Sequence, residues 1–174
     1  QIPASPEKLI PNGDFEKLFK YTHAGDKLSW WCPENWGYPN QWKNSREVKL
    51  EQKNPISGKN SIRFTAEREV LLYLSTIKNI GKDGLLSFNV KSAAGAEIRV
   101  IARFCDEKGK AISQKVLFET KIPDNQLHQL QVPWQKRNLD FAPYVIWFWL
   151  VKAPNGLVLD DVEFYSEGEV ERQP

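Results

Sequence analysis

The sequence predicts an all-β protein, an antiparallel sandwich or barrel, and three observations carry that expectation. Long helical periodicity is almost absent. Short runs rich in β-branched and aromatic residues recur, separated by Gly, Asn, Asp or Pro. The length, 174 residues, is that of one domain, and a content of 41% hydrophobic and 12% aromatic residues supplies a core and argues against disorder.

Along the chain, residues 1–8 are polar or Pro-bearing without pattern and read as an N-terminal extension. The segment Asp14–Tyr21 is the one helix candidate, and it is short. The Trp-rich stretch Ser29–Trp42 shows no alternation and reads as a long ordered loop. Strands then follow. Arg46–Gln52 places Val48 and Leu50 on one face, and Asn54-Pro55 with Ser57-Gly58 turns the chain. Asn60–Ala66 alternates Ile62 and Phe64 against Ser61, Arg63 and Thr65. Glu69–Ile77, Leu85–Ser92 and Glu97–Cys105 come next, then a hairpin-like loop at Asp106-Glu107-Lys108-Gly109 into Ala111–Thr120. Leu127–Val132, Tyr144–Lys152 and Leu157–Tyr165 complete a set of about nine or ten strands. Residues 9–166 form the domain and 167–174 a C-terminal tail.

Charge narrows the partners. Lys and Arg number 24 against 22 Asp and Glu, a net charge of +2, which does not suit a nucleic-acid binder. No stretch approaches the roughly 20 apolar residues of a membrane helix. With no Met at position 1, the chain is expected to begin inside a longer one or after processing. Cys32 and Cys105 can form one disulfide in a secreted protein or remain buried thiols. They cannot make a four-ligand zinc site alone, and His23 and His128 lie far from them in sequence.

Three landmarks occur in fixed order: Leu9-Ile10-Pro11-Asn12-Gly13-Asp14-Phe15-Glu16 with Pro33-Glu34-Asn35-Trp36 downstream; Ser57-Gly58-Lys59-Asn60-Ser61-Ile62-Arg63-Phe64; and Gly156-Leu157-Val158-Leu159-Asp160-Asp161-Val162-Glu163-Phe164. Leu85–Ser92 and Phe104–Lys110 fit between them. This arrangement resembles the carbohydrate-binding modules of the family 4, 9, 16 and 22 group over roughly residues 8–166. The resemblance implies a galactose-binding-like jelly roll, a polysaccharide or oligosaccharide partner, an extracellular location and a place in a larger multidomain protein. Leu127-His128 stands where such modules often carry a Trp. Trp36 matches a position that is usually packed in the core.

Asp160 shares strand parity with Val158, Val162 and Phe164, so it points toward an apolar face, where a carboxylate needs a partner or a metal. The resemblance implies a structural calcium ion there. Asp14 and Lys59 would give carbonyl oxygens, and Glu16 and Asp160 carboxylates. The alternative is that Glu16 is a surface residue and Asp160 accepts backbone N–H groups.

Period two on Tyr144–Lys152 puts Ile146, Phe148 and Leu150 on one side and Val145, Trp147, Trp149 and Val151 on the other. On Glu97–Cys105, Arg99, Ile101 and Arg103 oppose an apolar face of Ile98, Val100, Ala102 and Phe104. A shared sheet would collect Tyr73, Asn89, Arg99, Arg103, Trp147 and Trp149 into a ligand-binding face. Aromatic rings stack on pyranose rings, and Arg, Asn and Tyr hydrogen-bond hydroxyls. Two arginines also suit a carboxylate or sulfate on the sugar. The alternative places both Trp in the core with the arginines paired to acids. Trp30, Trp31, Tyr38 and Trp42 offer a second, loop-borne surface, and Trp134 beside Pro133 is a further candidate exposed aromatic.

No G-x-S-x-G, H-E-x-x-H or P-loop is present, and nothing singles out a catalytic carboxylate pair. Three classes of function remain: a non-catalytic carbohydrate-binding module, a structural or protein-interaction sandwich, and a small jelly-roll lyase or hydrolase. The first is the expectation.

Overall fold

Alternation of apolar and polar residues decides which side of each strand meets the core. In the computed structural model, which describes residues 10–22, 29–37, 47–78, 83–135 and 143–166, that alternation organises ten strands. They are β1 (Leu18–Thr22), β2 (Ser29–Pro33), β3 (Trp36–Gly37), β4 (Val48–Glu51), β5 (Ser61–Lys78), β6 (Gly84–Lys91), β7 (Glu97–Cys105), β8 (Ala111–Lys121), β9 (His128–Trp134) and β10 (Tyr144–Ser166). On β6, for example, Leu86, Phe88 and Val90 are buried while Leu85, Asn89 and Lys91 are only partly so.

β1 and β2 form a hairpin sheet of their own, and the other eight strands make one antiparallel hydrogen-bonded network. Two long strands belong to both layers of it. The first half of β10 pairs with the later part of β5 on one side and with β7 on the other, and β8 follows β7. The second half pairs with the start of β5 and with β6, and β9 follows β6. Register shifts between Val151 and Leu157 mark the bend. One layer is therefore β3, β5, β10, β7 and β8; the other is β4, β5, β10, β6 and β9. Rings from the two layers meet between them: Trp149 lies 6.1 Å from Phe88, and Trp147 lies 4.6 Å from Trp134, centroid to centroid. The result is an antiparallel jelly-roll β-sandwich.

Several expectations change. Asp14–Tyr21 is not a helix: from Leu18 on it pairs with β2, and tertiary pairing overrides a short helical pattern. Of the stretch expected to be loop, Ser29–Pro33 and Trp36–Gly37 are strands, and positions 38–42 lie outside the described residues. The runs Asn60–Ala66 and Glu69–Ile77 merge into β5, and Tyr144–Lys152 and Leu157–Tyr165 into β10. Trp134 is buried rather than exposed. It ends β9, a strand that can carry Pro133 because it pairs only with β6. Leu127-His128 does not disturb that pairing, which begins at His128 opposite Val90. Cys32 and Cys105 are both buried and are not bridged to each other, and burial pushes the Cys32 thiol pKa up to about 11. Trp36 is buried, and its indole donates to the Asn12 carbonyl at 2.9 Å.

Candidate functional site

The register of β10 decides which side of its first half is open. Trp147 stands opposite Ala102 on β7 and Leu74 on β5, and Trp149 stands opposite Val100 and Leu72. All four partners are buried, and both Trp side chains are 0% exposed. They are core residues, not a binding platform, which corrects the expectation for this pair. The cause is packing: the small Ala102 and Val100 leave room for indoles inside. Their two Nε1 groups have no hydrogen-bond partner among the described residues.

The opposite side of the same strand carries the outward face, on which Phe148 and Ile101 are only 9% and 6% exposed and Val116 46%. Ile146, Phe148 and Leu150 stand opposite Arg103, Ile101 and Arg99 on β7. Beyond β7, Gln114, Val116 and Glu119 on β8 continue those rows. On the other flank Tyr73 stands opposite Phe148, and Leu71 opposite Leu150. An apolar row, Val116–Ile101–Phe148–Tyr73, thus crosses four strands, about 14 Å at the usual strand spacing. Polar groups border it. Arg103 places its guanidinium carbon 4.7 Å from the centre of the Phe148 ring and donates to Gln114 at 3.4 Å. Arg99 pairs with Glu69 at 2.5 Å. That hydrogen bond, reinforced by Glu119, raises the Arg99 pKa. A groove of about 320 Å³ continues the face beside Arg99, lined among others by Glu69, Glu119, Lys121 and Leu150.

Of the six expected face residues, three come together here: Tyr73, Arg99 and Arg103. Asn89 does not join them. It lies on β6 opposite Asp160 and Gln129, and its Nδ2 donates to Asp161 at 3.0 Å. Phe148 is the ring that sequence reasoning passed over. Its signal was the parity of the two arginines on β7, which marks the outward side, and Phe148 faces Ile101 between them.

Among the loop aromatics, Trp31 is 58% exposed on β2, which pairs with β1 rather than with the strands of the face just described. Trp30 belongs to β2, but its side chain is not among those described, and Tyr38 and Trp42 lie outside the described residues, as does His23.

The acidic motifs meet at a different corner. Glu16 accepts the N–H groups of Lys59 and Asn60 at 2.8 and 3.0 Å. Asp160 is wholly buried; one oxygen accepts from the Ser61 hydroxyl at 2.7 Å and from the Ser57 N–H at 3.2 Å. Its other oxygen accepts the Asp161 N–H at 2.7 Å. A break in register between Asp160 and Glu163, with Asp161 at φ 55°, turns the second carboxylate to Ser57 and Asn89. Burial pushes Asp160 up to about 7, and neighbouring Asp161 adds to the rise. Asp14 is exposed, and its side chain accepts the Glu16 N–H at 3.3 Å. Among the described residues no group of three or more His, Cys, Asp or Glu is placed to hold a metal, and none of the ion pairs involves Asp160.

No family model matches the chain, and no curated protein matches it. Solved structures do, at the level of fold. The C-terminal family 22 carbohydrate-binding module of Clostridium thermocellum Xyn10B superposes with a TM-score of 0.56 at 13% identity, covering 92% of this chain and 99% of that one. A family 16 carbohydrate-binding module gives 0.55 at 12%, covering 91% and 99%. TmCBM61, solved with β-1,4-galactotriose, gives 0.54 at 11%, covering 91% and 98%. The chain therefore has the jelly-roll fold of carbohydrate-binding modules.

Proposed function

We propose that this chain is a non-catalytic carbohydrate-binding module that lays a glycan across the open face of β5, β10, β7 and β8. The observation that carries the reading is the row Tyr73–Phe148–Ile101–Val116 bordered by Arg103, Gln114, Arg99 and Glu69. Such a strip offers apolar contact to sugar C–H faces and hydrogen-bonding groups to hydroxyls. Arg99 is paired and Arg103 is stacked, so the face suits an uncharged, hydroxyl-rich chain better than an acidic one.

Solved neighbours of the same fold are described as xylan-binding and galactotriose-bound, which supports a glycan partner. One neighbour is part of a xylanase chain of which this fold covers 26%, which supports a place in a larger extracellular protein. Calcium belongs to the same reading. A buried carboxylate with no cationic partner, a second carboxylate beside it and Glu16 anchored to the same turn suit a hard cation. Glu16 and Asp160 would hold it, with carbonyls of Asp14 and Lys59, and it would tie the N-terminal turn to β10 without touching sugar.

Affinity electrophoresis against soluble xylan, galactan, β-glucan and polygalacturonate tests the proposal. Retardation by a neutral glycan that Tyr73→Ala and Phe148→Ala each weaken is expected. A folded protein that no glycan retards would instead favour a packing domain, with exposed Val116 and Ile112 as its contact surface.

A further inference from the structure

Gly37 has no conformational reason to be glycine. It is not among the glycines with positive φ, which are Gly58, Gly95, Gly109 and Gly156. It sits in a short strand, where glycine is disfavoured. The reason lies across the strand pair. Gly37 stands directly opposite Tyr73. A Cβ built on Gly37 would lie 2.1 Å from Cζ of that ring and 2.5 Å from both Cε2 and the phenol oxygen. The outer end of the Tyr73 ring fills the space in which any side chain at 37 would stand. The outer end of the ring therefore reaches over Gly37 on β3, and the ring is tilted 43° from that of Phe148, with the centroids 6.1 Å apart.

We infer that Gly37 is a positioning residue for glycan recognition: it leaves room for the outer end of the Tyr73 ring to lie over β3 at the end of the apolar row, as a platform for a pyranose. This rests on the carbohydrate reading above. The ring is only partly buried, so its outward side is available to a ligand. Stacking on a sugar depends on where the plane of the ring lies, so a displaced ring presents a different surface. Ala at 37 cannot coexist with the present ring, because a separation of 2.1 Å lies far inside van der Waals contact. The outer end of the Tyr73 ring must then move off β3.

A purely structural role is the rival account, since an aromatic lying over a strand glycine also stabilises the sheet. A double-mutant cycle separates the two. The probes are xylohexaose and β-1,4-galactotriose, with soluble xylan and galactan, titrated by calorimetry and by affinity electrophoresis against wild type, Gly37→Ala, Tyr73→Ala and the double variant. Melting temperatures are recorded alongside, and Tyr73→Phe serves as the conservative control. Gly37→Ala should weaken binding at least tenfold in the wild-type background and less than twofold in the Tyr73→Ala background, while Tyr73→Phe keeps most of the affinity. A Gly37→Ala protein that melts lower yet binds the bound glycan as tightly as wild type would overturn the inference, as would an equal loss in both backgrounds. If wild type binds none of the probes, the carbohydrate reading fails and the role of Gly37 in it fails with it.

Discussion

Arg103 lies over the ring of Phe148, its guanidinium carbon 4.7 Å from the ring centre. The pair occupies the middle of the open face, so the ring that a sugar would meet is partly roofed by a cation. An exposed cation–π contact contributes only about 0.5–1 kcal/mol. Arg103→Ala should therefore leave the fold within about 1 kcal/mol of wild type. Glycan affinity should change at least tenfold, downward where the guanidinium holds hydroxyls and upward where it only covers the ring. Denaturant melts paired with calorimetric titration read both quantities; unchanged affinity would remove Arg103 from the site.

Trp147 and Tyr73 should behave as opposites. Trp147 is wholly buried against Trp134, and truncating a core Trp to Ala costs about 3–5 kcal/mol. Trp147→Ala is thus expected to unfold at markedly lower denaturant. Tyr73→Ala, on the outward face, should keep its melting temperature within a few degrees and show weaker glycan retardation. A stable Trp147→Ala protein that has lost binding alone would return that indole to the site.

Asp160 sets a pH dependence with a definite sign. Its folded pKa is raised from 3.8 to about 7, with burial as the main cause. The folded state therefore binds a proton that the unfolded chain has released between those values. Stability from this group is full below the unfolded pKa and is lost as pH rises through about 7. In EDTA, melting temperature should fall between pH 5.5 and pH 8, and Asp160→Asn should flatten that slope. Glu51 and Asp124, both lowered, titrate beneath this window. Millimolar calcium should restore the melting temperature at pH 8 in wild type and not in Asp160→Asn. At this size, each ~1 kcal/mol corresponds to about 2–4 °C. No response to calcium would leave the hydrogen bonds from Ser57, Ser61 and the Asp161 N–H as the support of the carboxylate.

Glu69 decides how much of the Arg99 charge reaches a ligand. The two are 2.5 Å apart and both partly exposed, so the pair itself contributes little to stability. Glu69→Gln should leave melting unchanged, and should raise affinity for polygalacturonate relative to neutral glycans in a salt-sensitive way. Retardation gels at low and high NaCl would read this. Equal behaviour of the two proteins would mean that Arg99 lies off the path of the chain.

Much of this arrangement was legible in the sequence. Alternation at Ile98–Phe104 and at Leu86–Val90 gave the strands, and the parity of Asp160 with Val162 and Phe164 gave its burial. The expectation failed at β10, where both sides of Tyr144–Lys152 are apolar. Parity says which residues share a side; only the partners across the ladder say which side is in. Ala102 and Val100 opposite the two Trp are that information, and it is non-local. The merging of strands into β5 and β10 was hidden for a related reason. Glu67, Arg68 and the Pro154-Asn155-Gly156 segment look like breaks but lie where the strands bend from one layer into the other. Gly37 was opaque because its cause is a ring 36 positions further along the chain, at Tyr73.

Because β5 and β10 each run through both layers, neither layer can detach while the other persists: breaking one means straightening strands that belong to the other. Amide protons of Leu72, Leu74, Trp147 and Trp149 should then exchange together with those of Ile62, Phe64 and Leu159, all by a single global opening. For the open face this has a mechanical meaning. Tyr73 and Phe148 are mounted on the two strands that cannot move independently, so a glycan bound as proposed would meet a surface whose shape is already set, with little ordering left to be done on binding.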